Sequence, residues 1–360
     1  MLAGKRALVF GVANKRSIAW GIANRWRGEG ASVFVTYQAS CWLILLMLDE
    51  RFQKQVENLV REEWGPFSPE LPLPVAACDV AEGHEVASLM KKLEARRFCY
   101  TDQGSGGVDG EVIAPGVGGA GGGIGGGLPK LDAILHSVAF APTEAMKGGS
   151  FLQVGLSSRD LDLVGGGVIL CPFHLCASAC SLLSLPPLAM SLVPYPLVLC
   201  LPIFFFSPFL QSTTKEAFVQ THVVSAYSLV EVARNALPYM SPASSITTLS
   251  YIGSQKVVPS YNVMGPAKAS LESCARTLAH ELGEHNIRVN CLSPGPVRTL
   301  AARGISGFDA MHKSAMERSP LGRTAAMEEI TAVATFLASP QASAVTGQTL
   351  FVDCGFNVMA

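Results

Sequence analysis

Residues 4–21 read Gly4-Lys5-Arg6-Ala7-Leu8-Val9-Phe10-Gly11-Val12-Ala13-Asn14-Lys15-Arg16-Ser17-Ile18-Ala19-Trp20-Gly21. A short apolar run, a glycine, a polar loop and a serine opening a helical pattern make a strand–turn–helix unit. Ile18, Ile22 and Trp26 recur every fourth residue, which gives the helix over 17–27 one apolar face. The alternation continues outward along the chain. Further strands are expected at residues 32–36, 74–78, 131–137, 245–250, 288–292 and 349–352, after a first at 7–11. Further helices are expected at 51–63, 82–96, 215–237, 267–283 and 327–338. Strands alternating with helices predict a doubly wound α/β fold, one parallel sheet covered on both faces, in a single domain over residues 1–360.

Three stretches break this rhythm and are read as insertions. Residues 39–48 (ASCWLILLML) are nearly all apolar, 104–127 are glycine-rich low complexity, and 154–211 are apolar and punctuated by proline. Pro186, Pro187, Pro194, Pro196, Pro202 and Pro208 argue against a membrane span in the last, because each removes a backbone donor that hydrocarbon cannot replace. Gln153-Val154 can be encoded CAG-GTN, a splice donor, and residues 201–211 by a pyrimidine tract ending in CAG, a splice acceptor. A translated intron is the preferred reading of 154–211, ahead of a disordered insertion and a membrane anchor.

Composition excludes several classes. The net charge of -1 and the lack of a basic stripe give no electrostatic case for nucleic acid. Ten cysteines without a C-x-x-C pair read as reduced thiols, and seven histidines without ligand spacing give no metal site. No signal or transit segment is visible before the first strand. The expected compartment is a plastid-like organelle or mitochondrion in a eukaryote, and otherwise the cytoplasm.

Chemistry concentrates after the fifth strand, in Ser250-Tyr251-Ile252-Gly253 and Tyr261-Asn262-Val263-Met264-Gly265-Pro266-Ala267-Lys268-Ala269-Ser270. On a helical reading Tyr261 and Lys268 lie about two turns apart on nearly one face. A phenol beside a lysine can donate to an oxygen that gains negative charge, which suits redox or enolate chemistry. The loop from Gly11 is not G-x-G-x-x-G, yet its glycine allows a tight turn and its helix N-terminus can face a pyrophosphate, with Ser17 as cap or phosphate donor. An ordinary capped loop is the alternative. The second strand ends Thr36-Tyr37-Gln38 without a cation for a 2′-phosphate, which favours NADH over NADPH, and Arg16 is the residue that could reverse this. Asp79, in Cys78-Asp79-Val80, can accept from an adenine amino group, cap the next helix, or both. His136, ending the fourth strand, reads as structural rather than as a general base. Residues 293–299 (SPGPVRT) form a rigid loop able to bond a nicotinamide carboxamide, or a plain turn.

Together these segments resemble the short-chain dehydrogenase/reductase superfamily, and closely its enoyl-acyl-carrier-protein reductase branch. The G-V-A-x3-S-I-A-x-G, C-D-V, H-S-x-x-F-A-P, S-Y-x-G, Y-N-V-M-G-x-A-K-A-S and G-P-x-R-T-L-A segments carry the resemblance. The six residues between Tyr261 and Lys268 set the branch apart from relatives with three. The resemblance covers residues 4–38, 49–98, 130–153 and 212–359, and joining Gln153 to Ser212 restores an uninterrupted family-like stretch. It implies a Rossmann-type fold and NADH-dependent reduction of trans-2-enoyl-acyl carrier protein in dissociated fatty acid synthesis. It also implies a homotetramer whose partner is the acyl carrier protein bearing the enoyl thioester. Tyr251, Tyr261 and Lys268 take the catalytic positions. Gly11, Ser17, Ile18, Gln38, Asp79, Val80, Val138, Lys268, Val297, Arg298, Thr299, Leu300 and Ala301 take cofactor positions, and Ala141 a substrate position. Residues 300–308 resemble a mobile loop over the acyl chain. Ala139, Pro294 and Cys354 depart from the usual glycine, alanine and glycine. A ketoreductase of the same superfamily and an inactive NAD-binding protein are the competing expectations.

Overall fold

The structure is a computed structural model that describes residues 1–38, 46–65, 73–95, 130–146, 213–299, 302 and 307–359. All of these lie in one unit, Met1–Gly148 with Pro208–Ala360. Residues 39–45, 104–127 and 154–211, which hold nearly all of the three expected insertions, lie outside the described residues.

Seven strands were described: β1 (Arg6–Phe10), β2 (Ser32–Tyr37), β3 (Val75–Ala77), β4 (Leu131–His136), β5 (Met240–Leu249), β6 (Arg288–Pro294) and β7 (Thr349–Val352). They pair in parallel in the order β3-β2-β1-β4-β5-β6-β7. The helices are α1 (Ile18–Gly28), α2 (Leu46–Trp64), α3 (Gly83–Ala95), α4 (Thr143–Met146), α5 (Lys215–His222), α6 (Ser228–Ala236), α7 (Met264–Glu281), α8 (Phe308–Arg318) and α9 (Met327–Ala338).

Strand β1 shows why the sheet is covered twice. Leu8 and Phe10 enter one core with Leu89 of α3, Leu229 of α6 and Leu271 of α7. Ala7 and Val9 enter the other with Trp20 of α1, Val60 of α2 and Ile330 of α9. Successive side chains point to opposite faces, so a strand apolar at every position must be buried on both. The strand order reverses between β1 and β4, which opens a crevice at their C-terminal ends.

Four boundaries differ from the sequence reading, each for a local reason. The helix expected at 215–237 is interrupted by a π-turn at Val223–Tyr227. There the Ser225 hydroxyl donates to the Phe140 carbonyl (3.0 Å) and accepts from the Phe140 amide (2.9 Å), so the extra residue serves a tertiary bond. Helix α7 starts at Met264 rather than 267, because Pro266 falls in its first turn, where a missing N–H costs nothing. Strand β5 starts at Met240, with a register shift against Leu131/Ala133 where Ala243 takes a left-handed φ of 63°. Helix α2 starts at Leu46, so the end of the apolar stretch 39–48 belongs to it. Helices α4 and α8 had no periodic signal strong enough to expect them.

Among the described residues no helix is long and apolar enough to cross a membrane, and no three metal-ligating side chains cluster.

Candidate active site

A cavity of about 890 Å³ runs across the C-terminal ends of β1, β2, β4 and β5. Of the cofactor candidates, Gly11, Ser17, Ile18, Gln38, Asp79, Val138, Lys268 and Thr299 line it. The α1 end of the cavity follows from Ser17. Its hydroxyl donates to Asn14 O (2.8 Å) and accepts from the Trp20 amide (3.3 Å), which leaves the Ile18 and Ala19 amides without helical acceptors. Gly11 turns there with φ 88°, and a Cβ on it would overlap the Ser137 carbonyl, whose carbon would lie 2.8 Å away.

At the far end of the crevice Asp79 is buried and does two things at once. Its Oδ1 accepts from the Ala81 amide (2.9 Å) just before α3 and from Gln38 Nε2 (2.9 Å). The Asp79 amide in turn donates to Glu85 (2.7 Å). Gln38 and Asp79, just past the ends of the neighbouring strands β2 and β3, are thus a bonded pair facing the cavity. Arg16 is exposed and outside the cavity lining, and Lys15 pairs with Glu63, so neither supplies a cation beside Gln38.

The structure separates some candidates from the cavity. The Val80 side chain belongs to the core under α3, and Val297 packs against the core on the other face. Arg298 faces outward, 3.6 Å from Asp309 in an exposed pair of little energetic weight. Leu300 and Ala301 lie outside the described residues, as does most of the expected loop at 300–308. Sequence reasoning missed one wall entirely. Lys215, Glu216, Val219, Gln220, Val223 and Val224 line the cavity from α5 and the π-turn. Their spacing marks one helix face, a signal that was present but uninterpretable without a partner surface.

Lys268 is 4% exposed in the cavity wall and donates to the Leu249 carbonyl at the end of β5 (2.7 Å). Burial lowers its ammonium to about 8, opposed by Cys291 and Glu272. Tyr261 corrects the helical-face reading, because it precedes α7 and sits in a turn between left-handed Ser260 (φ 64°) and Asn262 (φ 42°). Asn262 ties that turn to α4 through its amide and Ala145 O (3.1 Å). The two phenols meet each other: the Tyr251 and Tyr261 ring centroids are 4.9 Å apart at 60°. They form an apolar cluster with Met146, Val263 and Met264, against which Ala141 and Met311 pack, rather than lining the cavity itself. Burial raises both phenols, Tyr251 to about 12 and Tyr261 further with Tyr251 beside it, so both stay neutral donors.

Gly253 decides where the Tyr261 ring lies. A Cβ at 253 would come 2.7 Å from Tyr261 Cε1 and closer still to Cδ1. Gly253→Ala is therefore expected to displace the ring and lower kcat about 10-fold, at a stability cost of about 1–3 kcal/mol. Steady-state kinetics and thermal unfolding of the purified variant check both numbers.

His136 is fully buried behind the site and takes no part in the cavity. Ser228 Oγ donates to Val224 O (2.6 Å) and bonds His136 Nε2 (2.9 Å), and the Thr248 hydroxyl bonds Nδ1 (2.9 Å) and lies 3.3 Å from the His136 carbonyl. A neutral imidazole bonded at both nitrogens joins β4, β5 and α6. Burial first, and the Lys268 charge second, hold the imidazole down to about 3. Because the unfolded chain takes up this proton near 6.5, the stabilisation is complete above that pH. It declines by about 1.4 kcal/mol per unit as pH falls toward 3. Denaturant titrations from pH 7 to 4 should show this loss, and His136→Asn should flatten it.

Ala139 lines the cavity, and Pro294 pairs with Val352 at the end of β6. Cys354 holds a left-handed φ of 58°, which explains why glycine suits that position.

A family model described as Enoyl-(Acyl carrier protein) reductase matches residues 202–357. The NADH-dependent enoyl-acyl-carrier-protein reductase of Bacillus subtilis is 47% identical over 149 residues, which span 41% of this chain and 58% of that protein. That of Haemophilus influenzae is 30% identical over 359 residues, spanning 100% of this chain and 96% of its own. The solved structure of the Aquifex aeolicus NADH enzyme matches with a TM-score of 0.67 at 30% identity, covering 100% of this chain and 98% of that one. The chain belongs to the NADH-dependent enoyl-acyl-carrier-protein reductases of the short-chain dehydrogenase/reductase superfamily.

Proposed function

We infer that this chain reduces the trans-2 double bond of an enoyl-acyl carrier protein with NADH, a reductive step of fatty acid synthesis. The carrying observation is the crevice cavity with Lys268 in its wall, beside the cluster in which the Tyr251 and Tyr261 phenols pack against each other. The residues present fit NADH. Free amides at the start of α1 suit a pyrophosphate, the Gln38–Asp79 pair suits an adenosine, and among the described residues neither Lys15 nor Arg16 stands beside Gln38 for a 2′-phosphate. When bound, NADH supplies the hydride for the substrate β-carbon.

Every other part falls to the protein. Tyr261 donates its hydrogen bond to the thioester carbonyl, whose oxygen gains charge as the enolate forms, and a neutral phenol is the right donor for that. Lys268 holds the nicotinamide ribose hydroxyls, and its ammonium favours the developing negative charge. Tyr251 and Ala141 bound the acyl side, and Thr299 closes the nicotinamide end. Leu300 and Ala301 complete the cofactor contacts by family likeness. Exposed Phe218 and Tyr227 support assembly into a homotetramer.

The stretch 154–211 is ascribed to the gene rather than to the enzyme. The 149 matched residues make 58% of the Bacillus subtilis protein, which puts its length near 260 residues, about 100 fewer than here. Residues 39–48, 104–127 and 154–211 supply most of that excess, and 154–211 is read as a translated intron. Transcript sequencing tests this, and an abundant message carrying the stretch would contradict it.

The activity is tested by following NADH oxidation with crotonyl-CoA and with acetoacetyl-CoA. Oxidation by the crotonyl thioester alone is expected. Preferential oxidation by the acetoacetyl thioester would mean a ketoreductase, and neither reaction would mean a chain that only binds NADH.

A further inference from the structure

Glu272 is a buried carboxylate, 4% exposed, on the face of α7 that carries Lys268 one turn earlier. A carboxylate so placed is costly unless donors and a cation offset its desolvation. Both of its oxygens are taken. Oε1 accepts from the Ser250 hydroxyl (2.5 Å) and the Ser254 hydroxyl (2.6 Å), and Oε2 faces the Gln255 amide (3.5 Å). These serines bracket Tyr251 and Gly253, the residues against which the Tyr261 ring packs. One side chain therefore clamps both ends of the segment that sets the two phenols.

We propose that Glu272 is a positioning residue with two separable tasks: its hydrogen bonds hold the 250–254 segment and so Tyr251, and its charge keeps Lys268 an ammonium in the cavity wall. The proposal rests on the roles given above to Tyr251 and Lys268. Glu272, one turn along α7 and beyond ion-pair distance, is the carboxylate among the groups that act on Lys268. Cys291 on β6, pushed up to about 12 by burial, stays a neutral thiol. His136 on β4 is a neutral imidazole, and the phenols of Tyr251 and Tyr261 are neutral. Arg276, one turn beyond Glu272, is exposed and acts on Cys291.

The two tasks predict opposite outcomes for two conservative variants of the full chain. Glu272→Gln keeps an acceptor and loses the charge, whereas Glu272→Asp keeps the charge and draws it back from both hydroxyls. The ionisation of Lys268 is read by competitive acetylation across pH with mass spectrometry, which needs no turnover. It is read again in the basic limb of kcat/KM for crotonyl-CoA. E272Q should move the Lys268 midpoint down by about one pH unit, with the basic limb following. E272D should leave the midpoint in place and lower kcat about 3- to 10-fold. An unmoved midpoint in E272Q overturns the electrostatic task, and an E272D enzyme with unaltered kcat overturns the clamp. Should E272Q fail to fold, Ser254→Ala decides the clamp by itself: a reduced kcat with an unmoved midpoint supports it, and unaltered kcat refutes it. If the unaltered chain itself does not reduce crotonyl-CoA, the function fails while the acetylation midpoints still judge the charge.

Discussion

Tyr261→Phe is expected to lower kcat about 100- to 1000-fold while leaving the fold intact, the scale seen when one oxyanion donor is removed. The ring stays, so its packing on Gly253 and against Tyr251 survives, and the unfolding midpoint should change little. KM for NADH should also hold, because Lys268 and the Gly11 turn, not the phenol, line the cofactor cavity. Tyr251→Phe is the control. Its hydroxyl lies 3.4 Å from the Met311 sulfur, a weak partner, and its loss should cost much less. A Tyr261→Phe enzyme within 3-fold of normal kcat would remove the phenol from the reaction.

The second large effect belongs to the opening turn. Gly11→Ala should abolish saturable NADH binding and lower the unfolding midpoint by about 5 °C, from about 3 kcal/mol of combined strain and overlap. The left-handed φ of 88° disfavours any side chain, and the added methyl would drive into the Ser137 carbonyl at the β1–β4 crevice. The strands would have to part where the pyrophosphate is proposed to bind. Isothermal titration with NADH and calorimetric unfolding measure both losses, and an alanine variant that binds NADH normally would refute the placement.

Most of the fold was legible because its signals are local. The strand of residues 7–10 is apolar at every position, and the parallel sheet is the arrangement that buries both faces. Helix α1 was marked by Ser17, whose cap bond forms as expected. The candidate site was legible where residue types are scarce: Gly11, Asp79 and Lys268, singled out from the sequence, all line one cavity. What the chain did not disclose depends on tertiary partners. Nothing at Ser225 signals that it will bond Phe140, 85 residues away, and bend a helix into a π-turn. Nothing at Glu272 says that two distant serines will converge on it. Tyr261 shows the limit of periodicity, since two left-handed residues place it before the helix that its spacing to Lys268 implied. Its neighbour became Tyr251 instead.

A crystal structure of the ternary complex with NAD+ and a non-hydrolysable crotonyl thioester tests the central claim most directly. The account predicts the nicotinamide ribose on Lys268 Nζ and the Tyr261 hydroxyl about 2.6–3.2 Å from the thioester carbonyl oxygen. A nicotinamide lying away from Lys268, or a carbonyl met by another donor while Tyr261 stays packed out of reach, would contradict it.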